Sequence, residues 1–398
     1  MTADETQAVI AALSVAGATV RFVVGCVRDA LIGRPVKDID IATPDPPDRV
    51  IELLGAADIK AVPTGIGHGT VTAVFPPRRF EVTTLRVDTE TFGRHACVEF
   101  SADWDADAAR RDFTINAIYC GADGNLFDPT GGIADLGAKI VRFVGDPDTR
   151  IKEDFLRILR FFRFIAFYGA LPADSNSLMA CQANAESLAT LSGERVAGEI
   201  LRLLESRDAA AVLHVMRENG VLQPILPELS NIARVGRLIA VDADDPDPLR
   251  RLLAGLAVEG RDVHALANRL RLSNAERERL VAAKAYVGEA TGALDARGRR
   301  RLLYRLGRKT FMDLAYLGWS RDPARKNAWR RHLRAARDWV APALPVGGSD
   351  VLALGVPRGP AVGQLLNEVE RWWIRGDFKA DREKCLRKLR RVVAARSW

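Results

Sequence analysis

The 398-residue chain lacks any apolar run of the roughly 18 to 20 residues needed to cross a bilayer, so no helical membrane span is expected. Its five cysteines (Cys26, Cys97, Cys120, Cys181 and Cys385) lie far apart, with no C-x-x-C pair. They read as reduced thiols of a cytoplasmic protein, which excludes a disulfide scaffold. The five histidines form no H-E-x-x-H and no His-Asp dipeptide, so neither a histidine-held metal site nor an attached phosphohydrolase is expected. The start, Met1-Thr2-Ala3-Asp4-Glu5, has no basic patch ahead of an apolar segment and does not read as a secretory leader. Short-period repeats and low-complexity tracts are also missing. What is present, 48% apolar and 27% charged residues, suits a globular chain of two or three domains with a real core.

Charge is unevenly spread. Residues 291–398 hold 25 Lys and Arg against 10 Asp and Glu, a net +15, whereas the first 290 residues sum to −8. Trp319, Trp329, Trp339, Trp372 and Trp373 fall within this basic quarter. Such a composition fits a polyanion partner, and equally a solvated arginine-rich helical bundle.

Residues 1–140 alternate strand-like and helical segments. A helix is predicted near Asp4–Val15, a strand over Thr19–Val24, and a helix after Pro46-Pro47 carrying Val50, Ile51, Leu53 and Leu54. Strands follow at Thr70–Phe75, Phe80–Leu85 and Thr114–Cys120. From about residue 150 the period becomes helical, with predicted helices at Glu153–Tyr168, Gly193–Glu205, Ala209–Glu218, Asp247–Val258, Asp262–Leu270, Asn274–Val287, Arg297–Leu306, Asp322–Val340 and Val362–Arg375. The expected class is α+β: a mixed-sheet head (1–140), neck helices (141–210), and a helical body and basic tail (211–398).

Three segments carry chemistry. In Val24-Gly25-Cys26-Val27-Arg28-Asp29, a glycine closes a strand and opens a helix, a turn that lets backbone N–H groups approach a phosphate with Arg28 adding positive potential. Asp38 and Asp40 stand two apart, one strand period, so both carboxylates share a face. Like charges that close repel unless a cation sits between them, and Mg²⁺ is held by one or two carboxylates plus phosphate oxygens. Glu81 on an apolar strand is either an exposed polar face or a third acid. Arg110-Arg111-Asp112 forms a charged entry to the Thr114 strand. Asp154, Arg157, Arg160 and Arg163 recur at steps of three beside the apolar Phe155, Leu156, Leu159 and Phe162. That stripe is either a solvated face or a reader of bases. A carboxylate only accepts and a guanidinium only donates, so Asp154 with Arg157 matches the amino donor and ring-nitrogen acceptor shared by cytosine and adenine. Arg160 and Arg163 would then hold triphosphate or RNA.

Together these segments resemble the bacterial tRNA nucleotidyltransferase and poly(A) polymerase family, in particular its CCA-adding members. The family's G-G-x-V-R-D…D-x-D-x-A-T corresponds to Val24–Asp29 and Asp38–Thr43, its R-R-D-F-T-x-N-A to Arg110–Ala117, its D-P-x-G-G-x-x-D-L to Asp128–Leu136, and its E-D-x-x-R-x-x-R to Glu153–Arg160. Ser192-Gly193-Glu194-Arg195-Val196 looks like the start of the following neck helix. One departure stands out: Val24 occupies the first glycine of the G-G pair. The resemblance implies two Mg²⁺ ions at Asp38 and Asp40, Glu81 as the third acid, nucleotide contacts from Gly25, Arg28, Arg111 and Asp112, and base reading by Asp154 and Arg157 with Arg160 and Arg163 nearby. The implied reaction is attack of the tRNA 3′ end on the α-phosphate of CTP or ATP, with pyrophosphate released. No membrane and no obligate protein partner is called for.

Two features favour CCA addition over poly(A) synthesis. Ile66–Arg86 is short, where the poly(A) enzymes carry extra basic sequence, and Asp88–Asp107 is long enough for the loop that CCA enzymes use in switching from C to A. A decayed, non-catalytic RNA binder would not keep Asp38, Asp40, Arg28, Asp154 and Arg157. An antibiotic-modifying nucleotidyltransferase would not need Asp154–Arg157 or a basic tail.

Overall fold

The structure, a computed structural model, describes residues 1–15, 17–92, 95–256 and 263–396. The chain divides into two units, Met1–Leu229 and Ser230–Trp398. No helix of the described residues is long and apolar enough to cross a membrane.

The first unit begins with α1 (Asp4–Ser14), β1 (Arg21–Val23), α2 (Gly25–Leu31), β2 (Ile39–Thr43) and α3 (Pro47–Ala56). Strands β3 (Lys60–Gly65), β4 (Thr70–Phe75) and β5 (Arg78–Thr84) follow, then a separate hairpin of β6 (Arg86–Phe92) and β7 (His95–Phe100). The main sheet has the order β3-β4-β5-β2-β1, continued by β8 (Tyr119–Gly121) and β9 (Leu126–Phe127). Only β2 and β5 run parallel within it. Strand β2 is therefore the centre of seven. Its Ile39 and Ile41 alternate with Asp40 and Ala42, and on β5 Phe80 and Val82 alternate with Glu81 and Thr83. The apolar set is buried, with α3 packed against β4 and β5, which leaves the Asp40–Glu81 face for chemistry.

Helices α4 (Trp104–Ala109), α5 (Gly132–Ala138), α6 (Pro147–Glu153), α7 (Leu156–Tyr168), α8 (Ser175–Ala183), α9 (Gly193–Glu205) and α10 (Ala209–Glu218) complete this unit. Helix α9 shows why it forms: Val196, Ile200, Leu203 and Leu204 fall on one stripe and are all buried.

Three expectations need correction. The predicted strand Thr114–Cys120 is a 3₁₀ turn (Thr114–Asn116) followed by the short β8. The Asp112 carboxylate accepts from the backbone N–H of Phe113 and from the Asn116 amide, both at 2.9 Å, and these local bonds compete with a strand ladder. The predicted helix Glu153–Tyr168 is broken: α6 ends at Glu153, Asp154 is extended (φ −156°, ψ 107°), and α7 starts at Leu156. The stretch Asp88–Asp107, expected as a loop, carries β7 and parts of β6 and α4; Gly93 and Arg94 within it lie outside the described residues.

The second unit comprises α11 (Ile232–Ile239), α12 (Pro248–Gly255), α13 (Val263–Arg269), α14 (Asn274–Ala285), α15 (Ala296–Arg321), α16 (Lys326–Arg337), α17 (Gly348–Leu352), α18 (Pro360–Arg375) and α19 (Arg382–Ala394). Val258 and Asp262, expected at helix ends, lie outside the described residues. Helix α15 turns at Gly307, where φ of 75° suits a residue without Cβ. A buried ionic cluster joins three helices: Arg250 donates to Asp313 at 3.0 Å, and Arg279 to the same carboxylate at 2.6 Å. Of the interleaved tryptophans, Trp319, Trp329 and Trp373 are buried and Trp339 and Trp372 half-buried, while Arg330, Arg331, Arg334 and Arg337 of α16 face solvent.

Candidate active site

The site is built outward from β2. Asp40 pairs in register with Glu81 on β5 and with Val23 on β1, so Glu81 rises beside it on the same face. Asp38 is exposed and precedes the strand by one residue. Burial, then the neighbouring Glu81 and Asp38 charges, push the Asp40 carboxyl up to about 6 against the pull of Arg111 and Arg28. A carboxylate raised in this way is one that a cation would stabilise. Among the described residues, no three acid, histidine or cysteine side chains gather closely enough to hold a metal by themselves. Two carboxylates suffice for Mg²⁺, whose remaining positions go to water and phosphate, so the donor set fits a divalent ion brought with a nucleotide.

A cavity of about 400 Å³ opens next to this face, its wall beginning at Val24, the residue after Asp40's partner Val23. Arg86, Arg110, Arg111, Asp112 and Asn116 line it together with Asp154, Leu156, Arg157, Arg160 and Arg195. Six of the lining residues are arginines against two aspartates, a predominantly cationic lining whose charge suits an anionic ligand.

Each wall is braced. Asp107 is buried and accepts from Arg110 (2.6 Å), Arg111 (2.8 Å) and the Tyr119 hydroxyl (2.7 Å). Burial alone would raise its carboxyl, but Arg111 and Arg110 outweigh burial and hold it below the ordinary value. Asp112 behaves likewise: Arg160 overcomes burial and keeps it low, donating through Nε at 2.8 Å. At the α6–α7 junction, Asp154 accepts from Arg195 (2.6 Å) and from the Leu156 N–H (3.1 Å). Arg157 donates through Nη1 to Glu153 and, at 2.8 Å, to the Arg150 carbonyl. Its Nε–H and Nη2–H groups remain for a ligand, and both Asp154 oxygens keep a lone pair.

Not every candidate lines this cavity. Arg28 is buried and donates to Asn116 (2.5 Å), Tyr168 (2.7 Å) and Asp29 (3.0 Å), tying α2 to the 3₁₀ turn and to α7. Arg163 points to Glu199 on α9 at 2.6 Å. The four charges expected as one stripe thus divide: the helix break turns Asp154 toward Arg157 and Arg160, while Arg163 braces α9. Gly25 stands at the start of α2, with Arg28 3.7 Å from where a Cβ would lie.

Sequence reasoning missed Arg195 as a site residue. Its motif was visible only as a helix start, and its partner Asp154 is 41 positions away. Asp107 and Tyr119 gave no signal either, since their role is to hold Arg110 and Arg111. A larger cavity of about 660 Å³ lies in the second unit, lined by Glu289, Tyr304, Arg305 and Glu370. There Arg305 pairs with Glu289 and the Tyr304 hydroxyl with Glu370, and it carries none of the motif residues.

Comparison with known proteins bears on this geometry. Residues 20–142 match the poly A polymerase head domain, and residues 174–232 match the probable RNA- and SrmB-binding site of polymerase A. The chain is 35% identical over 384 residues to the mitochondrial CCA tRNA nucleotidyltransferase 1 of Mus musculus, covering 92% of this chain and 85% of the mouse protein. It is 28% identical to a CCA-adding enzyme of Limosilactobacillus fermentum, over 96% of each chain. Among solved structures it is similar to the Bacillus stearothermophilus CCA-adding enzyme in complex with CTP. The TM-score is 0.78 at 27% identity, and the likeness covers 98% of this chain and 97% of that one.

Proposed function

We propose a mechanism from one premise: this chain belongs to the CCA tRNA nucleotidyltransferase family. The reaction is untemplated addition of two cytidines and an adenosine to the 3′ end of tRNA, from CTP and ATP. The observation that carries the mechanism is the arginine-rich cavity that joins Asp154 and Arg157 to Arg111 and Asp112, beside the strand bearing Asp40.

Asp154 accepts the exocyclic amino proton of cytosine or adenine, and Arg157 donates to the adjacent ring nitrogen. Uracil and guanine offer a carbonyl where Asp154 needs a donor. A buried polar group left unpaired in this way can discriminate by up to ~10⁴-fold. Arg195 and the Leu156 N–H hold Asp154 for this task, and Glu153 with the Arg150 carbonyl hold Arg157. Arg111 and Arg160, fixed by Asp107 and Asp112, present positive charge to the triphosphate. Arg28 and Arg163 act as positioning residues, through Asn116 with Tyr168 and through Glu199. Divalent metal use goes with the family, and we assign Mg²⁺ to Asp38 and Asp40, with Glu81 adding charge at its strand partner. Bound there, one ion would lower the pKa of the attacking hydroxyl and a second would neutralise charge on the departing pyrophosphate. Residues 1–140 are assigned to catalysis, 141–210 to base reading and 211–398 to tRNA. Buried thiols at Cys26, Cys120, Cys181 and Cys385 suit the reducing cytoplasm.

The test supplies tRNA lacking its last three nucleotides with CTP and ATP, separately and together. Extension by three nucleotides and no more supports CCA addition, whereas a ladder of adenosines supports poly(A) synthesis. Asp40→Ala should slow incorporation by at least ~10³-fold, equivalent to about 4 kcal/mol, while tRNA binding persists. Retained incorporation would refute its metal role.

A further inference from the structure

Val24 adopts φ 59°, ψ −124°, a conformation natural to glycine and strained for a β-branched residue. Such a conformation persists only where its surroundings over-determine it. Two surroundings do so. The side chain packs on a buried apolar cluster that includes Ala42, Leu85, Ala108 and Tyr119. It also forms part of the cavity wall, where, among the described residues, the only other apolar lining residue is Leu156. Every other lining group is charged or an amide.

Val24 shares the cavity wall with Asp154 and Arg157, the residues assigned above to base reading. It also follows directly on Val23, the register partner of Asp40, so it lies one residue beyond the strand position beside the acidic pair. In a nucleoside triphosphate the part between base and α-phosphate is the sugar, whose C–H surface is the apolar match for an isopropyl group in a polar cavity. From this juxtaposition we infer that Val24 is a specificity-determining residue that packs against the ribose of the incoming nucleotide and limits the bulk its hydroxyls can carry. This rests on the nucleotide-addition reading above. The side chain is thus shared, one side against the apolar cluster and the other forming the cavity wall. A glycine would relieve the strain and remove the wall.

Two variants separate bulk from strain. Val24→Ala keeps a Cβ at positive φ but shortens the wall, and Val24→Gly removes both. Single-nucleotide incorporation onto tRNA lacking CCA is measured with CTP, 2′-O-methyl-CTP and 3′-O-methyl-CTP. Both variants should raise kcat/KM for at least one methylated analogue, relative to CTP, by tenfold or more over the unaltered protein. KM for CTP should rise several-fold with kcat little changed. Thermal melting serves as the structural control, since the glycine variant should be at least as stable as the alanine one. An unchanged ratio for both analogues in both variants overturns the inference. Failure of the unaltered protein to incorporate CTP at all would instead overturn the reading on which it rests.

Discussion

A carboxylate and a guanidinium make a base reader only when both are held still. Asp154 and Arg157 are each anchored by groups that are not bases, Arg195 on one side and Glu153 with the Arg150 carbonyl on the other. Arg157→Ala should therefore blur the choice between CTP or ATP and UTP or GTP, lowering the discrimination ratio by tenfold or more. Competition assays with all four nucleotides read this directly, and unchanged selectivity would sink the template argument. Asp107 sits one step further back, buried under the two arginines it orders. Its folded carboxyl lies below the ordinary value, so its stabilising effect is complete above the unfolded pKa near 4 and is lost as pH falls below that. Asp107→Asn should cost about 3 kcal/mol at neutral pH. The gap to the unaltered protein should narrow on acidification from about pH 5 toward pH 3. Chemical denaturation at several pH values checks this, and a gap constant with pH would refute the ion-pair account.

The elements around the site lean on one another through backbone contacts. In the Asp128–Leu136 segment, the Asp128 carboxylate accepts from the N–H groups of Gly132 and Ile133 at 2.7 and 2.8 Å, which starts α5. Thr114 donates to Asp135 at 2.7 Å, locking the same helix to the 3₁₀ turn that follows Asp112. A Cβ at Gly132 would fall 2.1 Å from the Thr114 carbonyl oxygen, which is backbone and cannot swing aside. Gly132→Ala should therefore destabilise the protein by about 1–3 kcal/mol and weaken nucleotide incorporation through the displaced turn. A melting temperature equal to that of the unaltered protein would show that the close approach is dispensable. The motif glycines were legible in the sequence, but their purpose was not, because the contact lies between segments 18 residues apart.

Across the chain, the basic excess of residues 291–398 sets long-range behaviour. On α16, Arg330, Arg331, Arg334 and Arg337 face solvent while Trp329, His332, Leu333 and Ala336 form the buried side. Trp329 thus serves the core, and on the proposed function any polyanion contact made by this helix would fall to its arginines. Duplex RNA offers phosphates and 2′-hydroxyls rather than its deep groove, so binding here should depend on shape and charge. Affinity for tRNA should fall at least about tenfold between roughly 50 and 200 mM salt. Replacing Arg330 and Arg334 by Gln should reduce the slope of log affinity against log salt by roughly one to two. Flat binding across that range, or an unchanged slope, would remove the basic helices from the RNA interface.

What the chain's linear order determined by itself was the class of fold and the family, because each rests on local spacing: strand period, helix period and contiguous motifs. Tertiary structure alone decided which charges work together. Asp154 faces the cavity because α6 ends one residue before it, Arg163 leaves the expected stripe to meet Glu199, and Arg28 spends its donors on Asn116 and Tyr168. For the two arginines the physical reason is the same. A buried guanidinium must find acceptors wherever packing brings them, and those acceptors lie up to 140 positions away along the chain.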